Sequence, residues 1–313
     1  MKRFLLRILF GVLIVAAVLL ASLFFIPNNK IPDNSLFASH DKHQRLDSLS
    51  SPKIVLVGGS NLPFGIKSEM IEEATGLPVA DMGLHAGLGM NFILSEVEGN
   101  IHQGDVVIVS LEYHHFLSRT MYNGEDVLAA LLFDVNRDCI SYLKFGQWMA
   151  LIPNICLYAS KKLINTSTQK VDSFEDLFTR ESFNKYGDET AHYGQLSTVH
   201  SGDKPALGMT ICNKSIQRLV RFRNLVEEKG ATFMLIACPY PEPQYWKDEE
   251  SIEKIVEAVN NKGLAFLVNP KECLFPDSLM FNSYFHLSEN GATMRTEQLI
   301  NTMRSHHVDS FKN

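Results

Sequence analysis

From Ile8 to Ile26 the chain carries no charged residue, and such a run leaves it few places to fold. As a helix at 1.5 Å per residue it extends roughly 28 Å, close to the hydrocarbon thickness of a bilayer. Lys2, Arg3 and Arg7 stand on its N-terminal side, which favours a cytoplasmic N-terminus with the remainder exported. A cleavable signal sequence is the alternative. Its apolar region would be about 7–15 residues long and would end in small residues. Here Ala21-Ser22-Leu23 makes a poor cleavage site, Phe24-Phe25-Ile26 prolongs the apolar stretch, and no Cys follows it to carry a lipid. Residues 1–27 are therefore expected to be a cytoplasmic stub and an uncleaved, single-pass transmembrane helix. Pro27 and the polar stretch over residues 28–51 read as a tether that lifts the following domain off the membrane.

The 313 residues are 45% hydrophobic and 20% charged, enough to bury the core of one large α/β domain or two small ones. A net charge of −6 offers no basic excess for a nucleic-acid partner. Cys139, Cys156, Cys212, Cys238 and Cys273 have no metal-like spacing, and their odd number leaves at least one thiol unpaired or shared between molecules. Cys238 and Cys273 lie near apolar segments and read as small core residues. Neither a metal nor a cofactor is expected.

Lys53 to Val57 is a short β-rich run closed by Gly58-Gly59, the pattern of a buried parallel strand. Ile66 to Thr75 has helical spacing and stops at Gly76. Pro78 to Met82 is a second strand, Asn91 to Asn100 a helix, and Asp105 to Leu111 a third strand. Strand and helix alternating at this pitch imply right-handed crossovers and a parallel sheet. The rhythm returns late, with helices over Ser215–Lys229, Glu249–Lys262 and Glu289–Met303 and strands over Thr232–Cys238 and Leu264–Val268. Between about 118 and 207 it breaks. Val127–Phe133 and Gln147–Leu163 look helical, while Asn165–Gly202 is polar and irregular, the kind of stretch that serves as a lid or binding loop over the carboxyl edge of an open sheet. The predicted fold is α/β, with a mainly parallel sheet, helices on both faces and a mostly helical insertion.

Chemistry concentrates at two places. Ser60 follows the first strand in Gly58-Gly59-Ser60-Asn61, on a tight turn whose following N–H groups can stabilise developing negative charge. A serine there can equally be a helix N-cap. Near the other end, His286 stands in Phe281-Asn282-Ser283-Tyr284-Phe285-His286-Leu287-Ser288-Glu289-Asn290-Gly291, just before a helix that Ser288 is placed to cap. Together they fit a nucleophile and base brought from opposite ends of the chain. Gly58-Gly59-Ser60 does not complete the spacing of a dinucleotide-binding turn.

A glycine-serine turn after strand one and a His-Leu-x-x-x-Gly near the end resemble the SGNH (GDSL-like) hydrolase superfamily, in particular its membrane-anchored, cell-envelope members. The likeness covers roughly 51–117 and 209–300. It implies a three-layer αβα, flavodoxin-like domain over residues 52–313, with Ser60 as nucleophile and His286 as base. It implies an oxyanion N–H from the loop Gly83–Gly89, with Gly87 the first choice and Gly83 the second. Two departures stand out. Where the superfamily offers an Asn after strand three, this chain has Glu112, which cannot donate when ionised; Asn61 or a His side chain could replace that donor, and Glu112 could be structural or touch substrate. Where an Asp usually orients the base, this chain has Ser283 or, four residues before His286, Asn282. Asp277 could substitute if its loop folds back, though Pro276-Asp277-Ser278 reads as a turn. His114-His115 makes a poor metal pair, because neighbours on a strand point to opposite faces.

Other features read plainly. Arg218, Arg221 and Arg223 look like a solvated helix face. Cys238-Pro239-Tyr240-Pro241-Glu242-Pro243 is either a wall of the site or a strand terminator. Asn165-Thr166-Ser167 matches a glycosylation sequon. The resemblance thus implies an exported, membrane-anchored serine esterase or O-acyltransferase acting on an acylated envelope glycan, beside an envelope acyl-transfer partner. The alternative is an inactive module of the same fold that binds glycan or serves as a scaffold.

Overall fold

The computed structural model describes residues 1–26, 34–165, 179–200 and 206–306. Helix α1, Lys2–Phe25, is the one helix among them long and apolar enough to cross a membrane. Its 24 residues extend about 36 Å, enough for a bilayer with some tilt. Residues 28–33 of the expected tether, and Thr166 and Ser167 of the sequon, lie outside the described residues.

The rest of the expected tether is not a spacer. Ala38–Ser48 forms helix α2, with Lys42 and Leu46 buried. The Lys42 ammonium donates to the carbonyls of Asp81 (3.0 Å) and Gly187 (2.5 Å), and Arg45 Nε donates to Val79 O at 2.6 Å. Lys42 was legible only as one more polar residue, because its acceptors lie on segments 39 and 145 residues away. Solvation of a polar helix and its docking on a sheet edge look alike in sequence.

The sheet has four parallel strands: β1 Ile54–Gly58, β2 Val79–Asp81, β3 Val106–Ser110 and β4 Thr232–Leu235, in the order β2-β1-β3-β4. Between β1 and β3 lie helices α3, Ser68–Thr75, and α4, Met90–Ser95. Alternate strand residues feed two apolar clusters. Val55, Val57, Val107 and Val109 join one, with Phe92, Leu219 and Phe222; Ile54, Leu56, Val106 and Ile108 join the other, with Ile71, Leu299 and Met303. Both faces being covered explains why these strands read as unbroken apolar runs. The expected strand Leu264–Val268 is reduced to one bridge, between Ile236 and Val268.

After β3 come the short helices α5 His114–Leu117, α6 Arg119–Asn123 and α7 Asp126–Ala130, then the long α8, Phe145–Asn165. The late elements are α9 Asn213–Glu228, α10 Glu242–Asn260, the two-residue strands β5 Tyr240–Pro241 and β6 Leu274–Phe275, and α11 Glu289–Ser305. Helix α10 begins seven positions before the expected Glu249, because Pro243 sits in its first turn, where the missing N–H has no partner to lose. Cys238-Pro239-Tyr240-Pro241 thus leads into a small strand paired with β6. Arg218 corrects another expectation: it is buried, with Nε to Asn91 Oδ1 at 2.9 Å and Nη2 to Ser95 Oγ (3.1 Å) and Glu98 Oε1 (2.6 Å). Its partners lie on α4 and just beyond, out of reach of any local pattern.

All five cysteines are free thiols; Cys238 and Cys273 are buried, and burial raises the pKa of both, Cys273 to about 12.

Candidate active site

Ser60 leaves the end of β1 on successive tight turns, with Phe64 N donating to Ser60 O at 3.2 Å. No helix starts here; α3 begins at Ser68, so Ser60 is not an N-cap. Nor do Gly58 and Gly59 serve by left-handed backbone, since neither has positive φ. They are needed for space. A Cβ on Gly59 would meet the Glu112 carboxylate, and one on Gly83 would lie 2.6 Å from Gly59 O and 2.7 Å from Leu62 Cβ.

Residues 281–287 carry the base to this turn. Phe281 N donates to His286 O at 2.8 Å, and Leu287 N donates to Phe64 O at 3.0 Å, tying the histidine loop to the serine loop. Ser288 caps α11 through Gly291 N at 3.4 Å. The imidazole stacks on Phe64, centroids 4.1 Å apart at 9°. His286 Nε2 lies 2.8 Å from Ser60 Oγ, and Nδ1 lies 2.7 Å from Asn282 Oδ1. With that amide oxygen as acceptor, Nδ1 carries the proton and Nε2 presents a lone pair to the Ser60 hydroxyl. Asn282, and neither Asp277 nor Ser283, is therefore the group behind the ring. Asp277 sits in a separate short turn, and Ser283 Oγ accepts from Phe285 N at 3.2 Å. Burial, with His192 and His85 adding to it, lowers the His286 pKa to about 3. No carboxylate offsets that.

The proposed oxyanion donors fare differently. Gly87 N–H donates to His85 Nδ1 at 2.9 Å and Gly83 N–H to Asp81 Oδ1 at 2.7 Å, so both are already engaged. Asn61 is buried. Its Nδ2 donates to Ser110 O at 3.0 Å and its N–H to Glu112 Oε1 at 3.1 Å. Glu112 is buried as well, its other oxygen 3.3 Å from His115 Nδ1. Asn61 and Glu112, both buried, thus brace the serine turn from below. On the two loops the backbone N–H groups of Gly59, Ser60, Leu84, His85 and Ala86 make no hydrogen bond to any described residue. His114 and His115 do not converge. They lie on α5 and not on a strand, with His115 Nε2 to Ala86 O at 3.0 Å and His114 edge-on to Phe285. No cluster of three His, Cys, Asp or Glu suited to a metal occurs among the described residues.

Two supports were missed by the sequence reading. The first is Arg295 on α11. Buried, it donates through Nη1 to Asn61 O (2.7 Å) and through Nη2 to Asn61 Oδ1 (3.0 Å) and Ser110 Oγ (2.8 Å). Removing the guanidinium takes the donor from the buried Asn61 O and one of two donors from Asn61 Oδ1, which keeps the Ser110 hydroxyl at 2.9 Å; a buried polar group left unpaired costs about 1–3 kcal/mol. Arg295→Met is therefore expected to lower the unfolding free energy by about 3 kcal/mol, read as an earlier midpoint in urea. An unchanged midpoint would contradict this bracing role. The second support is the segment 179–200 of the insertion. Glu189 N donates to Pro63 O (3.0 Å), Thr198 N to Phe281 O (2.8 Å), and Asp188 accepts from Ser68 N (2.8 Å). The buried His192 ring, hydrogen-bonded to Glu189, lies 5.2 Å from Phe64 and 5.0 Å from Phe281. A polar, aperiodic stretch thus straps the serine and histidine loops together.

No protein-family model and no curated protein matches this chain.

Proposed function

We propose that this chain is a serine acyl-ester hydrolase or O-acyltransferase of SGNH type, carried on a membrane anchor with its domain outside the cytoplasmic membrane. The three-layer arrangement of that superfamily, the exported orientation and an acylated envelope glycan as substrate, beside an acyl-transfer partner, are parts of the same proposal. The observation that carries it is the 2.8 Å approach of Ser60 Oγ to His286 Nε2, with Asn282 behind the ring.

In this reading Ser60 Oγ attacks the ester carbonyl carbon while its proton passes to Nε2. The carbonyl oxygen takes the negative charge and is met by the N–H groups of Ser60 and Ala86. Collapse breaks the ester C–O bond, and the departing alkoxide takes the proton from Nε2. Water or a sugar hydroxyl, deprotonated by the same nitrogen, then attacks the acyl-serine and restores Ser60. The chemistry needs no cofactor.

A fluorophosphonate probe tests it directly. Labelling of the full chain in detergent that vanishes in Ser60→Ala is the expected result. Folded protein that takes no label would favour the second reading, a glycan-binding or scaffold module of the same fold. That reading draws on Asn282 in place of a carboxylate and on the engaged N–H groups of Gly83 and Gly87.

A further inference from the structure

Helix α8 is built inside out. A helix on the surface of a soluble domain turns its apolar stripe inward and its polar residues to water. On the inward side of α8, Leu151 and Ala159 share the face with four polar residues. Gln147 Oε1 accepts from Asn91 Nδ2 (3.0 Å) and Asn154 Nδ2 donates to Gly124 O (2.8 Å). The Tyr158 hydroxyl bonds the Asp134 carboxylate, and Lys162 Nζ reaches Asp134 Oδ1 at 2.8 Å. The outward side holds Phe145, 80% exposed, with Met149, Ile152, Leu157 and Ile164 also exposed. At 100° per residue these five fall within an arc of about 140°, a continuous apolar face far longer than the scattered exposed residues of an ordinary surface.

The occupant is indicated by what the face adjoins. It is continuous with α1, the apolar helix long enough to cross a membrane. Ser22 Oγ donates to Ala159 O at 3.1 Å, Lys162 Nζ donates to Leu23 O at 3.1 Å, and Phe24 meets Phe133 edge-on. Between α1 and α8 runs an apolar groove of about 790 Å³, lined by Val12, Val15 and Leu19 from one helix and Trp148, Ile152 and Ile155 from the other. Residues 26–33 alone join α1 to Asn34, and even fully extended they reach no more than about 30 Å. Lys144 and Lys161 stand towards the ends of the apolar face, largely exposed but paired with Glu98 (3.7 Å) and Asp126 of the same chain. With Pro153 inside it and two lysines in its last turns, α8 is no second span.

We propose that α8 lies in the headgroup–acyl boundary of the bilayer that α1 crosses, its apolar face towards the lipid, so that the domain is seated on the membrane and not lifted from it. This does not depend on the chemistry at Ser60. A helix held in this way buries its apolar side about 5–10 Å below the headgroups.

The test uses the full chain in phosphatidylcholine–phosphatidylglycerol vesicles whose acyl chains are brominated near the glycerol. In a Trp148→Phe/Trp246→Phe background, Met149→Trp and Leu157→Trp are expected to emit in the blue and to lose most of their fluorescence to bromine. Leu196→Trp, at a site 87% exposed on segment 179–200, is expected to be unaffected. Should either helix variant misfold, Phe145→Trp reads the same face. Quenching no greater than at Leu196→Trp would overturn the proposal. Blue, unquenched emission would do so too, by placing a second copy of the chain on the face instead of lipid.

Discussion

Asn282→Asp is expected to raise the rate of ester cleavage, by roughly 10² and by no more than about 10⁴, the factor lost when a triad carboxylate becomes an amide. The expectation follows from the ring's surroundings. His286 is half-buried, desolvation is the main cause of its lowered pKa, His192 and His85 add to it, and the value falls to about 3. A weak base accepts the Ser60 proton reluctantly, and an amide oxygen at 2.7 Å orients the ring without compensating the imidazolium. A carboxylate at that distance does both. It also removes the amide NH2, the one arrangement of residue 282 that would hold the wrong tautomer. The pH profile supplies the second readout. The base must be neutral to work, so with the ring near 3 the native chain is expected to keep its kcat/KM from pH 8 down to about 4 and to lose it below. The Asp variant stabilises the charged ring, raises its pKa and moves that acid limb towards neutrality. Hydrolysis of a p-nitrophenyl ester by full-length protein measures both. An unchanged rate with an unmoved limb would show that Asn282 is not the group that orients the base.

The second large effect is non-additive loss. Ser60→Ala and His286→Ala are each expected to lower kcat by roughly 10⁴–10⁶, and the double variant is expected to lose little more than either alone. Proton acceptance at Nε2 has no use without the hydroxyl 2.8 Å away, and the hydroxyl is a poor nucleophile without that nitrogen. Independent, multiplying losses would mean that the two side chains do not act in one step. Both replacements leave the buried Arg295–Asn61–Ser110 network intact, so unfolding midpoints near that of the native chain are expected to accompany the loss of rate.

The parts of the fold legible in the sequence are those whose cause is local. Ile54-Val55-Leu56-Val57 and Val106-Val107-Ile108-Val109 are apolar at every position because both faces of the sheet are covered. Gly76 stands at φ 72° at the end of α3, where a glycine was expected to stop the helix. Misreadings cluster where partners are distant. Lys42 and Arg218 look like solvent-facing cations until Gly187, Asp81, Asn91 and Glu98 arrive from elsewhere in the chain. Leu264–Val268 has the composition of a strand but meets its neighbour at a single bridge.

Sequence alone determined the apolar run near the N-terminus, the strand–helix rhythm, and the choice of Ser60 and His286 as the pair worth bringing together, because periodicity, turn chemistry and residue type are properties of short segments. Tertiary structure decided the rest. It put Asn282 behind the ring, committed Asn61 and Glu112 to bracing the serine turn from below, occupied the Gly83 and Gly87 amides, and turned α8 apolar side out. Each of those outcomes depends on which polar atoms run out of water and must find one another. That is settled only when segments far apart in the chain share one interior.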